Sequence, residues 1–486
     1  MTADYAGLFH ALRPEIHLVV GALLVLGFDL VWARHRPGSR PHVALALGTI
    51  ALLMAGWEAS TLPASGRVFG GTFFHDQLAI VTRTGVIGLA ALALALLPHS
   101  AKLRHPAEFT AILLFATTGF SLMAAANNLL VAFVALELAS LSLYALAGFD
   151  KTSPQSAEAA LKYFLFGGMA AAFLLFGFSL LYGLTGSINL NYIAGHLAQA
   201  QSPLLIVALV MILAAFGFKA AAAPFHLWAP DVYQGAPAPA AALIASASKL
   251  AGLVLFTRLL WPGLGAAAGT VAHTPVTVGW APVVALIAGA SLLLGNIGAL
   301  AQSNVRRLLA YSAIAHAGAL LLGVLAAGRI GPGPLFYYAA TYGLATVGAF
   351  GVIAALESSG RVQSLTDLAG LHKRSPFLAG CLALFVLSLA GIPPLAGFFG
   401  KFAVFASVLK VGGLQGPAGW LVILAIALSA VALYYYLLIL KQALVAAPAA
   451  EAAPVKPPLP ARLSLLVAAA LIVLFGVWPS LLLGLF

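Results

Sequence analysis

Long apolar segments follow one another along almost the whole chain, from Pro14 to Leu485. Many of them reach the roughly 20 residues that a helix needs to cross the hydrocarbon core of a bilayer. A chain inside a bilayer must pair every backbone N–H and C=O group internally, which leaves only helices or a closed barrel. These segments are too long for barrel strands and lack their alternation of apolar and polar residues. The pattern therefore predicts an all-α polytopic membrane protein.

Hydropathy divides the chain into about fourteen predicted spans. Their approximate extents are 14–33, 42–60, 77–97, 107–125, 127–149, 158–183, 203–233, 237–260, 279–301, 304–327, 333–357, 376–410, 417–440 and 463–485. We group them into an N-terminal three-helix segment at 1–106, a first five-helix repeat at 107–260, a second at 261–445 and a C-terminal helix at 446–486.

Two of the predicted spans are too long for one crossing and contain helix-breaking residues. Span seven, of about thirty residues, contains Pro224 and Pro230, and span twelve, of about thirty-five, contains Pro393 and Pro394. Irregular backbone at membrane depth is tolerated only where it is buried or lines a wet cavity. Broken helices in corresponding places are typical of transporters built from inverted repeats. We therefore predict two inverted five-helix repeats, each with a broken helix, at spans four to eight and nine to thirteen.

Composition excludes a soluble protein and several kinds of site. Hydrophobic residues make up 62% of the chain and charged residues 8%, whereas a soluble domain is about a quarter charged. The single cysteine, Cys381, excludes an internal disulfide, an iron–sulfur cluster and a thiolate zinc site on this chain. The sequence also has no phosphate-binding loop and no cluster of metal ligands. We therefore predict no cofactor on this chain.

The positions of the basic residues predict an orientation. Fourteen fall in loops on one side of the predicted membrane: Arg34, Arg36, Arg40, Lys102, Arg104, Lys151, Arg306, Arg307, Arg361, Lys373, Arg374, Lys441, Lys456 and Arg462. Five fall on the other side: Arg13, Arg67, Arg258, Arg329 and Lys410. Loops rich in lysine and arginine stay in the cytoplasm. Both termini are therefore predicted on the periplasmic side of a multi-pass protein of the bacterial inner membrane.

A few charged residues lie inside predicted spans: Arg83, Glu137, Lys162, Lys219, Lys249 and Lys401. A charge at the bilayer centre costs roughly 2.5–3.5 kcal/mol on insertion scales. The four charges of Glu137, Lys219, Lys249 and Lys401 together cost on the order of 10 kcal/mol, which is comparable with the stability of a domain. Lys219 precedes the break of span seven, and Lys401 follows the break of span twelve. Charges retained at this cost predict a proton pathway.

Lysine suits proton transfer because burial makes its ammonium group easier to deprotonate, while a neighbouring carboxylate opposes that loss. We hypothesise that Glu137 moves toward or away from Lys219 and so switches that lysine between holding and releasing a proton. Lys162 is either part of this site or a residue that extends to the surface. Arg83 is interpreted as structural, paired with Asp76.

Two histidines, His226 beside the break of span seven and His316 in span ten, have an open interpretation. Each is either a proton relay, since histidine titrates near neutral pH, or a hydrogen-bonded packing residue. Asp231, just after Pro230, is interpreted as a loop or helix-cap residue.

The segment Phe216–Pro237 reads FGFKAAAAPFHLWAPDVYQGAP and resembles the signature of the antiporter-like subunits of respiratory complex I. That family is related to Mrp-type sodium/proton antiporters, and the resemblance covers essentially the whole chain. Segments Glu158–Phe164 and Gln302–Ser312, with Lys401 after the second break, are similar to the N-type branch of the family.

The resemblance implies roles for matching residues. Glu137 and Lys219 would form the ion pair of a first half-channel with Lys162 beside it, Lys249 would lie between the halves, and Lys401 would be the terminal proton carrier. His226 and His316 match polar positions along a hydrated axis.

The family also implies partners and leaves alternatives. FMN, iron–sulfur clusters, NADH and quinone would be bound by partner subunits, and other membrane subunits would flank this chain in the bilayer. The resemblance thus implies a proton-translocating membrane subunit of complex I. A subunit of a multi-subunit Mrp-type cation/proton antiporter is one alternative. A scaffold whose charges pair only structurally is another.

Overall fold

The computed structural model describes residues 5–32, 35, 38–97, 104–197, 202–357, 360, 362–448 and 454–486. Four of the basic residues used to predict orientation lie outside this part: Arg34, Arg36, Lys102 and Arg361. The α-helices are α1 Tyr5–Ala11, α2 Arg13–Val31, α3 Arg40–Thr61, α4 Gln77–Leu94, α5 Pro106–Ala125, α6 Leu129–Ala147, α7 Pro154–Thr185, α8 Leu190–Leu197, α9 Pro203–Ala220, α10 Trp228–Gly235, α11 Ala238–Ala245, α12 Ala247–Arg258, α13 Trp280–Leu300, α14 Val305–Ile330, α15 Gly333–Glu357, α16 Leu371–Arg374, α17 Pro376–Ala390, α18 Ala396–Gly412, α19 Pro417–Leu440, α20 Leu459–Val477 and α21 Ser480–Leu483.

Within the described residues, thirteen helical segments are long and apolar enough to cross a membrane, and α17 is a shorter apolar helix. In order along the chain they correspond to the fourteen predicted spans. The prediction of an all-α polytopic membrane protein is therefore confirmed. One small antiparallel hairpin, β1 Gly66–Val68 with β2 Phe73–His75, lies between α3 and α4. The inverted repeats and the four proposed regions stay predictions.

Both long predicted spans are broken, and the two breaks begin with the same backbone cap. After α9, the Ala221 backbone is left-handed (φ 56°) and its N–H donates to the carbonyl of Gly217. After α17, the Gly391 backbone is left-handed (φ 89°) and its N–H donates to the carbonyl of Leu387. In each case the next N–H also returns to that carbonyl. This cap ends a helix within one turn, so Lys219 lies at the end of α9 and Lys401 near the start of α18.

The helices near the middle of the molecule are almost wholly enclosed by other helices. In the apolar part of α14 and of α15, 94% of the residues are buried, and in the segment that contains α11 and α12 all of them are. The corresponding share is only about a third in five other helices: α2, α3, α7, α19 and α20. Side chains of α12 and α14 are therefore shielded from lipid, and a charged group on them must find a partner inside the protein.

The prediction that Arg83 pairs with Asp76 is wrong. Arg83 is buried and contacts Glu15 of α2 (Nη2–Oε1 3.0 Å), whose Oε1 also accepts a hydrogen bond from Ser121. Asp76 caps the start of α4 and is held by Arg258 of α12 at 2.5 and 3.0 Å. The prediction relied on the short distance between Arg83 and Asp76 in the sequence. In the structure Arg83 points toward α2, which is distant in the sequence and lies nearby only because the helices pack together. Arg83 therefore belongs to a buried ion pair of the N-terminal helices.

Candidate functional site

Lys219 is buried in the last turn of α9, beside the first break. Its Nζ donates to Oγ of Ser140 on α6 at 3.2 Å. Ser140 is three residues after Glu137, so the two share one face of that helix. A cavity of about 10 Å³ lies between Lys219, Ser140, Tyr144 and Gly167. Sequence reasoning missed Ser140, although its spacing from Glu137 was a usable signal.

Glu137 lies near this lysine without forming an ion pair with it. Among the described residues no carboxylate oxygen lies within 4.0 Å of the Lys219 ammonium. Glu137 is half-buried, and its Oε1 is buried with no hydrogen-bond partner in the described structure. The Glu137–Lys219 switch stays a prediction, and Ser140 holds the lysine in this arrangement.

Lys162 forms ion pairs with two carboxylates, and its predicted place beside Glu137 and Lys219 stays a prediction. Its Nζ contacts Oδ2 of Asp231 on α10 and Oε1 of Glu158 on its own helix, both at 2.6 Å. Asp231 also accepts a hydrogen bond from Arg307 of α14 at 2.5 Å. Asp231 was expected to be a loop or helix-cap residue, but it lies in the first turn of α10 and joins two cations. No local pattern could reveal this, because its partners are 69 and 76 residues away.

Lys249 lies in the middle of the molecule, on α12. It is 3% exposed, and its Nζ donates to the backbone carbonyl of Ala313 on α14 at 2.7 Å. The same ammonium is 5.5 Å from the centre of the Tyr342 ring, close enough for a cation–π attraction. A neutral carbonyl and an aromatic face thus stabilise this charge.

His316 is one turn along α14 from Ala313 and is held on both sides by tyrosines. Its Nδ1 is 2.6 Å from the hydroxyl of Tyr338, and its Nε2 is 3.0 Å from the hydroxyl of Tyr436. Tyr436 is in turn hydrogen-bonded to Ser312. Since a neutral imidazole has one N–H, one tyrosine donates to the ring and the other accepts from it. Sequence reasoning missed both tyrosines, which are inconspicuous in aromatic-rich spans.

Lys401 lies in the second turn of α18, beyond the second break. Its Nζ donates to the carbonyl of Ala390, the last residue of α17, at 3.0 Å. The carbonyl end of a helix carries a partial negative charge that favours a cation. A cavity of about 20 Å³ separates Lys401 from His316 and is also lined by Asn296, Tyr338 and Tyr435. That volume suffices for one water molecule in contact with several polar groups.

His226 lies in the break between α9 and α10 and is 9% exposed. Its Nδ1 is buried and has no hydrogen-bond partner in the described structure. The described structure shows no hydrogen bond between its ring and Lys219 or Lys249, whereas His316 lines the same cavity as Lys401. In the described residues, no group of three or more His, Cys, Asp or Glu side chains could hold a metal ion.

The broken helices, with enclosed lysines that contact a hydroxyl and backbone carbonyls and a cavity that Lys401 shares with His316, define a class: a polytopic membrane protein built for moving protons or small cations. A family model described as "NADH:quinone oxidoreductase/Mrp antiporter, TM" matches residues 126–432. Both breaks and every predicted site residue lie inside this match.

Similar proteins show to which branch of this family the chain belongs. A protein of Acidobacterium capsulatum named NADH-quinone oxidoreductase subunit N 2 is 48% identical over 99% of this chain and 98% of its own length. Subunit N of Alkalilimnicola ehrlichii is 36% identical over 97% and 94%. A chain of respiratory complex I from Thermus thermophilus superposes with a TM-score of 0.79, at 34% identity over 97% and 98%. A chain of the Mrp complex from a Dietzia species shares the fold (TM-score 0.81, 100% and 96% covered) at 21% identity. The chain belongs to the subunit N family of NADH-quinone oxidoreductases.

Proposed function

We propose that this chain is a proton-translocating membrane subunit of an NADH:quinone oxidoreductase. The observation that carries the proposal is the set of three lysines in the interior of the molecule, with Lys219 and Lys249 buried and Lys401 partly buried, in a chain 48% identical to a subunit N along its length. Electron transfer would occur on partner subunits that bind FMN, iron–sulfur clusters, NADH and quinone. This chain would supply the groups that hold and pass protons.

The proposed route runs from Lys219 through Lys249 and His316 to Lys401. The Lys249 ammonium bonds to Ala313, one helical turn from His316, and a water-sized cavity separates His316 from Lys401. Glu137 and Lys162 would control the state of the first half. Conformational or electrostatic signals from the quinone site of a partner subunit would reset Glu137 and Lys219 and start the transfer.

The protein is a multi-pass membrane protein, and its orientation is part of the proposal. The positive-inside rule places the loops with the larger number of basic residues in the cytoplasm. By this argument both termini lie on the periplasmic side of a bacterial inner membrane. A protease that cleaves a C-terminal tag only from the periplasmic side of intact cells would support this orientation.

A subunit of an Mrp-type cation/proton antiporter is the second candidate. Its support is the family model, whose description names both kinds of protein, and the fold shared with an Mrp complex. The greater identity to subunit N relatives favours the first candidate.

The deciding experiment is purification of the tagged chain from its native membrane in mild detergent. Co-purifying flavin and iron–sulfur subunits with NADH:quinone reductase activity would support the complex I proposal. Small membrane partners without redox activity would instead support the antiporter and refute the electron-transfer part of the proposal.

A further inference from the structure

The Asp231 carboxylate is shared between two cations from different parts of the chain. Its Oδ2 accepts a hydrogen bond from Lys162 of α7 at 2.6 Å, and its Oδ1 accepts one from Arg307 of α14 at 2.5 Å. Helix α7 belongs to the first predicted repeat and α14 to the second. One carboxylate therefore links the two repeats through their charged side chains.

Two arginines of α14 hold the helix that carries Asp231 at further points. Arg307 also donates to the side chain of Gln234 at 3.0 Å. The neighbouring Arg306 donates to the carbonyl of Ala236 at 2.8 Å, just after the end of α10, and is held by Glu357. Because two adjacent arginines of α14 form hydrogen bonds with this short helix and its end, a movement of Asp231 away from α14 would break several of these bonds.

Lys162 has more freedom than its partner. Its side chain is 37% exposed, and the same ammonium contacts Glu158, one turn back on α7, also at 2.6 Å. The Glu158 side chain is 57% exposed and has no other ion-pair partner among the described residues. Two carboxylates thus share one lysine: Asp231 is also held by Arg307 of the second predicted repeat, and Glu158 lies on the same helix as Lys162.

Helix α10 is also the continuation of the broken span that contains Lys219. Its Trp228 donates to the carbonyl of Phe218, the residue before Lys219, at 3.2 Å, and stacks on Tyr163, the residue after Lys162, at 4.4 Å between ring centres. A displacement of α10 would therefore disturb the residues next to Lys162 and Lys219 in the chain.

We propose that Asp231 is a positioning carboxylate that holds the Lys162 ammonium against the second predicted repeat while protons pass through the first. The inference rests on the proposed function and adds a residue to it. Release of Lys162 from Asp231 to Glu158 would loosen α7 from α10 and α14 without removing any proton carrier.

The test uses the whole complex in native membranes with Asp231→Asn, which keeps the size of the side chain and removes its charge. We expect quinone-dependent NADH oxidation, and the proton pumping that it drives, to fall about tenfold per assembled complex, because a charge-assisted hydrogen bond to Lys162 is lost. NADH oxidation with an artificial acceptor and the flavin content measure assembly and should stay unchanged. Asp231→Glu should retain most of the pumping, and Glu158→Gln is the matched control expected to retain it as well.

Other outcomes would overturn the inference. Full turnover per assembled complex in Asp231→Asn, with a loss only in the amount of complex, would leave Asp231 a purely structural role. If Asp231→Asn fails to assemble, Lys162→Gln decides, since normal turnover without this lysine means that holding it does not matter. A parallel Lys219→Ala variant separates the failure of the proposed function from the failure of the proposed role of Asp231. If Lys219→Ala pumps normally, the proposed function fails. If Lys219→Ala loses pumping and Asp231→Asn does not, only the role of Asp231 fails.

Discussion

The two breaks share a backbone device and differ in the charges around it. Each begins with a left-handed residue whose N–H returns to the helix before it, at Ala221 and at Gly391. The first break is followed within α10 by Asp231, which binds two cations. The cavity after the second break is lined by Lys401, a histidine and tyrosines, with no carboxylate among its lining residues.

The breaks are also anchored differently. In the first, the N–H of Ala223 donates to Ser291 of α13, a helix of the other predicted repeat, at 2.8 Å. In the second, the N–H of Gly397 donates to Ser388 of α17, the preceding half of the same broken span, at 3.1 Å. The first half is thus suited to switching by exchange of ion pairs between repeats. The second is suited to passing a proton through neutral hydrogen-bonding groups.

Loss of a lysine beside either break should have the largest effect. Replacement of Lys219 or of Lys401 by Ala should lower proton pumping by about a hundredfold, the scale of losing a positioned acid–base group. Pumping in membrane vesicles during NADH oxidation measures this, with flavin content as the check on assembly. Lys410→Ala is the matched control for Lys401, because Lys410 is an exposed lysine at the far end of the same helix. Pumping that survives in one variant only would mean that the two breaks do not act in series.

The tyrosines beside His316 should have the next largest effect. Tyr436→Phe removes the hydroxyl that contacts His316 and Ser312, so proton transfer in the second half should slow by about tenfold. Tyr434→Phe, at an exposed position of the same helix, should leave pumping unchanged. Equal pumping by Tyr436→Phe and Tyr434→Phe would mean that the neutral hydrogen-bond chain at the second break does not carry protons.

The cap of the second break should show a smaller effect, of about threefold on pumping. Gly391→Ala places a side chain in the left-handed region, at a cost of about 1–2 kcal/mol. The added Cβ would also lie 3.1 Å from Cδ of Lys401, so the lysine must shift. The first break already has an alanine at the corresponding cap. The midpoint of thermal inactivation and the pumping rate test this, with Gly380→Ala as the control because a Cβ there meets open space. An unchanged Gly391→Ala enzyme would contradict the close packing of Lys401 on its cap.

The sequence predicted the breaks well because proline and glycine act locally on the backbone. The cost of burying charge likewise singled out Lys219, Lys249 and Lys401 without any knowledge of packing. It did not predict their partners: the spacing of Ser140 from Glu137 was a usable signal that was missed, and the partners of Lys249 and Lys401 are backbone carbonyls, which have no sequence signal. The partners of Arg83 and Asp231 were missed for the same reason: pairing between distant helices is decided by the fold.

The smallest effect is expected at an ion pair remote from both breaks, Asp76 with Arg258, which gives the baseline for losing a charge pair alone. Burial tends to raise the pKa of Asp76, but hydrogen bonds and charge from Arg258 outweigh it and hold that pKa below its usual range. A carboxyl with a lowered folded-state pKa stabilises the protein above its unfolded-state pKa of about 3.9, and this stabilisation is lost as the pH falls through the folded-state pKa. Asp76→Asn should therefore lower the thermal midpoint at neutral pH, by an amount that shrinks as the solution is made more acidic than about pH 4, while pumping per assembled complex stays unchanged. Glu58→Gln, at a partly exposed and longer pair 3.6 Å from Arg13, should shift the midpoint less at every pH. A fall in pumping per complex in Asp76→Asn would mean that any lost ion pair impairs transport, and the contrast between the two breaks would then lose its functional meaning.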